Sequence, residues 1–171
     1  SMTVNFLNDI GDYVLAIIIA DDMGSSVSPF LSLKDYRKFV KPWFKKCLDT
    51  IKNIFPEIKI LYHCCGAVYP LIPEFIECGV DILNPIQPFA AGMNPKKLKD
   101  EFGNKLCFHG GIDVQRTLPF GTTNEVKEHV KEVIGSLASG GGYILAPSHE
   151  IHVDIPPENI YTMYKTALEY K

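Results

Sequence analysis

The sequence predicts an α/β fold in which parallel strands alternate with helices. Five short runs rich in Ile, Val, Leu, Tyr and Phe support this prediction, and each is followed by polar residues and then an amphipathic stretch. The runs cover residues 13–24, 59–66, 79–87, 105–113 and 141–149. Such runs, separated by helices, are typical of parallel strands that are buried on both faces. The order leaves two architectures open, a doubly wound sheet or part of a (β/α)8 barrel.

Helix-end signals place the elements between these runs. Ser32 followed by Asp35 resembles a capping box, and apolar residues then recur at three- and four-residue spacing as far as Ile54. Pro42 lies inside this stripe and is expected to kink or restart the helix. Further helices are predicted to end at Gly79 and to cover residues 94–103, 126–137 and 158–170.

The composition fits one globular domain. The chain has 171 residues, of which 46% are hydrophobic, and this predicts a single domain over residues 3–171. Ser1 ahead of Met2 is typical of a cleaved tag, so residues 1–2 are left outside it. The net charge of −3 argues against a nucleic-acid partner, and no apolar run is long enough to span a membrane. Five cysteines without an N-terminal signal segment predict a cytoplasmic protein.

Reactive side chains are concentrated where the predicted strands end. In parallel α/β folds of either architecture the ligand site lies beyond the carboxyl ends of the strands. His129 is the one histidine away from these ends, and it is expected to be solvated on a helix. The candidates at the strand ends are Asp21, Asp22, His63, Cys65, Asn84, Gln87, His109, Gly111, Asp113, Ser148, His149, Glu150 and His152.

The most informative motif is HCCG at residues 63–66. Side chains of a strand alternate between its two faces, so His63 and Cys65 point the same way and Cys64 points the opposite way. An imidazole and a thiolate directed at one point suit Zn²⁺. The alternative is a packed histidine beside an apolar cysteine, and the motif alone does not decide between the two.

Several blocks of sequence occur in the same order as in one known family. They are HCCG at 63–66, GVDILNPIQ at 79–87, GGID at 110–113, GGYILAP at 141–147 and PPENI at 156–160. Through them the chain resembles the uroporphyrinogen decarboxylase superfamily, and within it the branch of cobalamin-dependent methyltransferases such as the methylcobalamin:coenzyme M methyltransferases. The resemblance implies a partial TIM-type (β/α)8 barrel, with about five of the eight parallel βα units present.

The same resemblance implies a zinc site with a His-x-Cys motif and a distant second cysteine. His63 and Cys65 match the first two ligands. The second cysteine would fall near residues 146–149, where the chain has none and His149 is the nearest substitute. Zinc accepts a site of two histidines and one cysteine. His149 is therefore the expected third ligand, and a pocket residue that binds no metal is the alternative.

Five further residues have predicted roles at the strand ends. Asp22 and Asp113 are expected to be catalytic carboxylates, because carboxylates act as acid or base groups and orient metal-bound imidazoles. Asp21 and Gln87 are expected to bind substrate, and so is Gly111, where the backbone can approach a ligand closely. Structural roles, namely a capped turn for Asp21 and Asp22 and a loop contact for Gln87, stay open.

Three functions follow as expectations. The resemblance favours zinc-assisted methyl transfer from a methylcorrinoid carried by a partner protein to a small-molecule thiol. The second is uroporphyrinogen decarboxylation in tetrapyrrole biosynthesis, which needs a cationic pocket, although the chain has only two arginines, Arg37 and Arg116. The third is an inactive barrel fragment. Because a fragment has open sheet edges, we expect a homo-oligomer or pairing with a polypeptide that carries the amino-terminal half.

Overall fold

Five parallel strands form one sheet in the computed structural model, which describes residues 2–170. The order of the strands in the sheet is their order in the chain. A doubly wound sheet reverses its strand order at a switch point, whereas a barrel keeps the sequential order. The partial (β/α)8 barrel is therefore confirmed. The strands are β1 (Ala16–Ala20), β2 (Lys59–His63), β3 (Ile82–Ile86), β4 (Cys107–Ile112) and β5 (Tyr143–Pro147).

Eight α-helices lie in the described part of the chain. The Ser32 hydroxyl accepts from the Asp35 N–H at the first predicted cap, and the Asn94 side chain accepts from the Lys97 N–H at another. Among residues 2–170 no helix has both the length and the apolar character needed to cross a bilayer. The helices are α1 (Met2–Ile10), α2 (Leu33–Asp35), α3 (Lys41–Ile54), α4 (Ile72–Cys78), α5 (Pro95–Phe102), α6 (Thr117–Phe120), α7 (Thr123–Leu137) and α8 (Pro157–Glu169).

The expected interruption at Pro42 is present. A π-helical turn, Tyr36–Val40, joins α2 to α3, and Pro42 lies in the first turn of α3. Proline has no N–H to donate to the preceding turn, so the regular α-helical pattern cannot continue through it. Helix α1 was not predicted. Ser1, the expected tag residue, lies outside the described residues.

The two faces of the sheet differ in burial. One set of strand side chains, including Ile60, Tyr62, Leu83 and Phe108, is fully buried in the core between the sheet and its helices. The alternate set points to the opposite face, which we call the inner face. Its side chains are only partly buried, and Ile18 in the middle of β1 is 70% exposed. The inner face therefore has no covering layer among the described residues.

Candidate metal site

Three potential metal ligands meet at the carboxyl end of the sheet. His63 is the last residue of β2, Cys65 follows it, and His149 lies just beyond β5. One ligand atom from each lies within 4.8 Å of the other two. The structure thus brings together the three residues expected to hold zinc.

The donor set fits a zinc ion, and so does the spacing of two of its three ligand atoms. Around tetrahedral zinc, Zn–N bonds of about 2.0–2.1 Å and Zn–S bonds of about 2.3 Å place ligand atoms roughly 3.3–3.8 Å apart. The Cys65 Sγ and His63 Nε2 atoms are 3.3 Å apart, which already matches this spacing. The imidazole of His149 lies against that of His63, with ring centroids 6.0 Å apart. His149 is exposed, so it can adjust toward a common ion.

A polar chain behind the cluster connects three adjacent strands. The Nδ1 atom of His63 lies 2.6 Å from the Asn84 Oδ1 atom, and Asn84 Nδ2 lies 2.6 Å from His109 Nδ1. Strand register explains the contacts, because His63 pairs with Asn84 across β2 and β3. The sequence places Asn84 and His109 at strand ends but indicates no role for either, since only the register shows that they meet.

Two predicted site residues hold the loop that carries Cys65. The Asp22 Oδ1 atom accepts from the Cys65 N–H at 2.9 Å and lies 4.0 Å from His63 Nε2. The Gln87 Oε1 atom accepts from the Gly66 N–H at 2.8 Å. Asp22 is therefore next to the metal cluster, as a catalytic carboxylate would be. The contact of Gln87 matches the loop-stabilising alternative for that residue.

Burial and charge set the protonation of several groups in this region. Burial, followed by the nearby Asp22 carboxylate, raises the pKa of the Cys65 thiol to about 11. Burial also raises the pKa of Cys64, whose side chain lies in the core, to about 12. The pKa of Asp21 is raised by burial and then by Asp22. Burial and then His63 lower the pKa of His109, which favours a neutral imidazole there.

A pocket of about 400 Å³ opens in front of these residues. It is lined by His63, Asn84, His109 and His149, together with Pro85, Ala146, Pro147 and Glu150. Its exposed rim continues to His152, whose ring stacks on that of His149 with centroids 6.2 Å apart. A larger groove of about 690 Å³ lies elsewhere, bordered by α5 and α7, and contains none of the three metal-ligand candidates.

The structure does not bring Asp113 to the pocket. Its side chain is buried, and its carboxylate accepts from the N–H groups of Gln115, Arg116 and Thr117 at 2.7–3.2 Å. Both oxygens are thus engaged at the start of α6. This geometry is that of a cap, because an Asp side chain readily bonds to nearby backbone N–H groups, and a catalytic role for Asp113 stays a prediction.

Gly111 is subject to a packing constraint. It has a φ of +92°, and a Cβ atom there would lie 2.9 Å from the Val133 side chain on α7. The glycine is therefore required by the close approach of α7, on the side away from the pocket. His129, expected to be solvated, is half-buried, and its Nε2 atom accepts from the Asp113 N–H at 3.1 Å.

Comparison with known protein families gives a match over nearly the whole chain. The family model for uroporphyrinogen decarboxylase (URO-D) matches residues 1–170. Two curated relatives, both uroporphyrinogen decarboxylases, illustrate the distance. The protein from Chlorobium luteolum is 25% identical, with 90% of this chain and 42% of the relative covered. The protein from Trichodesmium erythraeum is 27% identical, with 81% and 37% covered.

A solved structure shares the fold. A methyltransferase from Methanosarcina mazei superimposes with a TM-score of 0.71 at 25% sequence identity, over 94% of this chain and 43% of the methyltransferase. The chain therefore spans less than half the length of the relatives that it matches.

Proposed function

Because the chain belongs to the uroporphyrinogen decarboxylase family, we propose that it provides a zinc site for methyl transfer from a methylcorrinoid protein to a thiol. The observation that carries the proposal is the meeting of His63, Cys65 and His149 within 4.8 Å at the carboxyl end of the sheet. The fold shared with a methyltransferase supports this reaction class. Five free cysteines fit a reducing compartment, and the proposal places the reaction in the cytoplasm.

The three ligands leave room for a substrate. His63, Cys65 and His149 would hold the metal, and the pocket in front of them is open to solvent on the His149 side. When bound, zinc in a site with three protein ligands lowers the pKa of a thiol in the remaining position. Asp22 fixes the Cys65 backbone, and its carboxylate, 4.0 Å from His63 Nε2, would accept the proton released by the substrate thiol.

The proposed reaction moves a methyl group from cobalt to the sulfur of the thiol. The substrate sulfur uses a lone pair to form the bond to the methyl carbon, and its proton leaves toward Asp22 and solvent. The carbon–cobalt bond of the methyl donor breaks, and its electron pair stays on cobalt. The donor is a corrinoid on a separate protein, and the chain's own contribution is to hold and orient the thiol.

Zinc binding is the first test of this proposal. We expect the wild-type chain, loaded with Zn²⁺ and desalted, to retain one zinc per chain. His63→Ala and Cys65→Ser should each weaken binding by more than about 100-fold, beyond the usual effect of changing an outer-shell partner. Competition with a chromophoric chelator measures these affinities.

A matched control is available in Cys47→Ser. Cys47 is an exposed cysteine on α3, remote from the cluster, and its replacement should leave zinc affinity unchanged. Wild-type protein that binds no zinc, or a Cys65→Ser variant with unchanged affinity, contradicts the proposal. Demethylation of methylcobalamin with added thiol, followed by absorbance, then tests the transfer itself.

Tetrapyrrole decarboxylation is the second candidate, because both curated relatives described above are named uroporphyrinogen decarboxylases. The described rim offers few cations for a substrate with many carboxylates. Arg37 is bound to Glu74, and Arg116 lies over the Phe89 ring at 4.5 Å. Formation of coproporphyrinogen from uroporphyrinogen III by this chain, with no dependence on His63 or Cys65, would reverse our ranking.

A further inference from the structure

The amide of Asn84 lies between two histidines that differ in their access to the metal cluster. His63 is a candidate ligand, whereas His109 is not among the three residues that meet. Both imidazoles contact Asn84 through their Nδ1 atoms, each at 2.6 Å. The two contacts involve opposite ends of the amide, the oxygen toward His63 and the nitrogen toward His109.

This arrangement forces the two imidazoles into opposite tautomers. An amide oxygen only accepts and an amide NH₂ only donates. His63 must therefore donate its Nδ1–H to Asn84, while His109 accepts at an unprotonated Nδ1. A neutral His63 with its proton on Nδ1 has a free lone pair on Nε2. That Nε2 atom is the one 3.3 Å from Cys65 Sγ.

We infer that Asn84 is a positioning residue that selects the Nδ1–H tautomer of His63 and so presents its Nε2 lone pair to the metal. The inference rests on the zinc site of the proposed function. His109 contributes by accepting from the donor end of the same amide. A metal-bound histidine commonly donates a hydrogen bond from its other ring N–H to such an outer partner, which fixes both the tautomer and the ring orientation.

The backbone places these three residues next to one another. His63 and Asn84 are register partners on β2 and β3, and Leu83 pairs with Phe108, so Asn84 and His109 lie at the same level of the sheet. All three side chains line the pocket. They are held by adjacent strands and not by loops, so the chain of contacts is set by the sheet itself.

The tautomers can be measured without any metal. In ¹⁵N-detected or long-range ¹H–¹⁵N NMR spectra of the metal-free wild-type protein at pH 8, we expect His63 to carry its proton on Nδ1 and His109 on Nε2. In Asn84→Leu, His63 should shift toward the Nε2–H tautomer. The Nε2–H tautomer for His63 in the wild-type protein would overturn the inference, whatever the zinc affinity.

Zinc affinity provides the second readout. Asn84→Leu should weaken zinc binding by about 10- to 100-fold, the usual effect of losing an outer-shell partner. Asn84→Asp keeps an acceptor for His63 and should bind zinc within a few-fold of the wild type. Circular dichroism checks that each variant is folded. If Asn84→Leu does not fold, His109→Phe retains the amide but removes the acceptor that its NH₂ group faces, and it should weaken binding in the same direction.

Different results would contradict the proposed function and the positioning role of Asn84. A wild-type chain without zinc affinity contradicts the proposed function. Wild-type binding together with unchanged affinity in a folded Asn84→Leu variant, or in His109→Phe where Asn84→Leu does not fold, contradicts only the positioning role of Asn84.

Discussion

The double variant Arg37→Leu/Lys41→Met is expected to lower the free energy of unfolding at pH 7 by about 3–5 kcal/mol. Both cations bind one carboxylate, that of Glu74, whose side chain is only 1% exposed. Arg37 donates from Nε and Nη2 to Oε1 at 3.0 and 2.7 Å, and Lys41 donates to Oε2 at 2.6 Å. Without these donors a buried charge would be left uncompensated, and this is more costly than losing an exposed ion pair.

The pH dependence of the free energy of unfolding is an independent test of the contacts that Glu74 makes. The hydrogen bond from Arg37, followed in importance by that from Lys41, holds the pKa of Glu74 below its ordinary value of 4.5 against the effect of burial. A lowered folded-state pKa contributes stability that is fully present above 4.5 and is lost as the pH falls through the folded value. We expect this acid-dependent loss in the wild type, and a weakened or reversed dependence in the double variant.

Two further variants separate charge compensation from general damage. Adding Glu74→Leu to the double variant removes the stranded charge and should recover much of the lost stability, because apolar replacements of buried ion pairs are often tolerated. Lys45→Met breaks the Lys45–Asp49 pair, in which both side chains are about half exposed, and should cost less than about 1 kcal/mol. Urea denaturation measures all four proteins. A double variant within about 1 kcal/mol of the wild type would contradict this account.

The alternation of apolar runs and helices was enough to predict the strands and their parallel direction. Each of the five observed strands lies inside one of the predicted runs, since buried parallel strands are continuously apolar. Local side-chain chemistry also predicted the caps at Ser32 and Asn94. Helix α1 was missed because its sequence lacks a recognised start signal, and the tertiary contact of the buried Leu7 has no local signature.

The sequence predicts the geometry of site residues only where they lie together at the end of one strand. His63 and Cys65 follow from alternation along a single strand, and His149 came from family resemblance. The position of Asp113 in the chain cannot show that its carboxylate turns back onto its own loop and not into the pocket. The contacts of Asn84 depend on register between three strands, and sequence patterns do not fix register to a single residue.

The inner face of the sheet carries a row of apolar side chains. Ile18, Leu61 and Ile82 are aligned across β1, β2 and β3, and within the described residues β1 and β5 each pair along one edge only. An exposed apolar sheet face with two open edges is a template for association. We therefore expect the isolated chain to self-associate, or to pair with a polypeptide that supplies the remaining strands, and we expect its midpoint of thermal unfolding to rise with protein concentration.

Static light scattering should give a mass above the 19.1 kDa of one chain at micromolar concentration. Ile18→Asp places a carboxylate in the middle of the inner face and should weaken association by at least about 10-fold, because burying an unpaired charge costs several kcal/mol. Phe39→Asp is the matched control, since Phe39 is 58% exposed but lies in the π-helical turn outside the sheet. A wild-type chain that unfolds cooperatively as a 19.1 kDa monomer contradicts the prediction. Association that Phe39→Asp weakens and Ile18→Asp leaves intact would move the contact from the inner face to the helical layer.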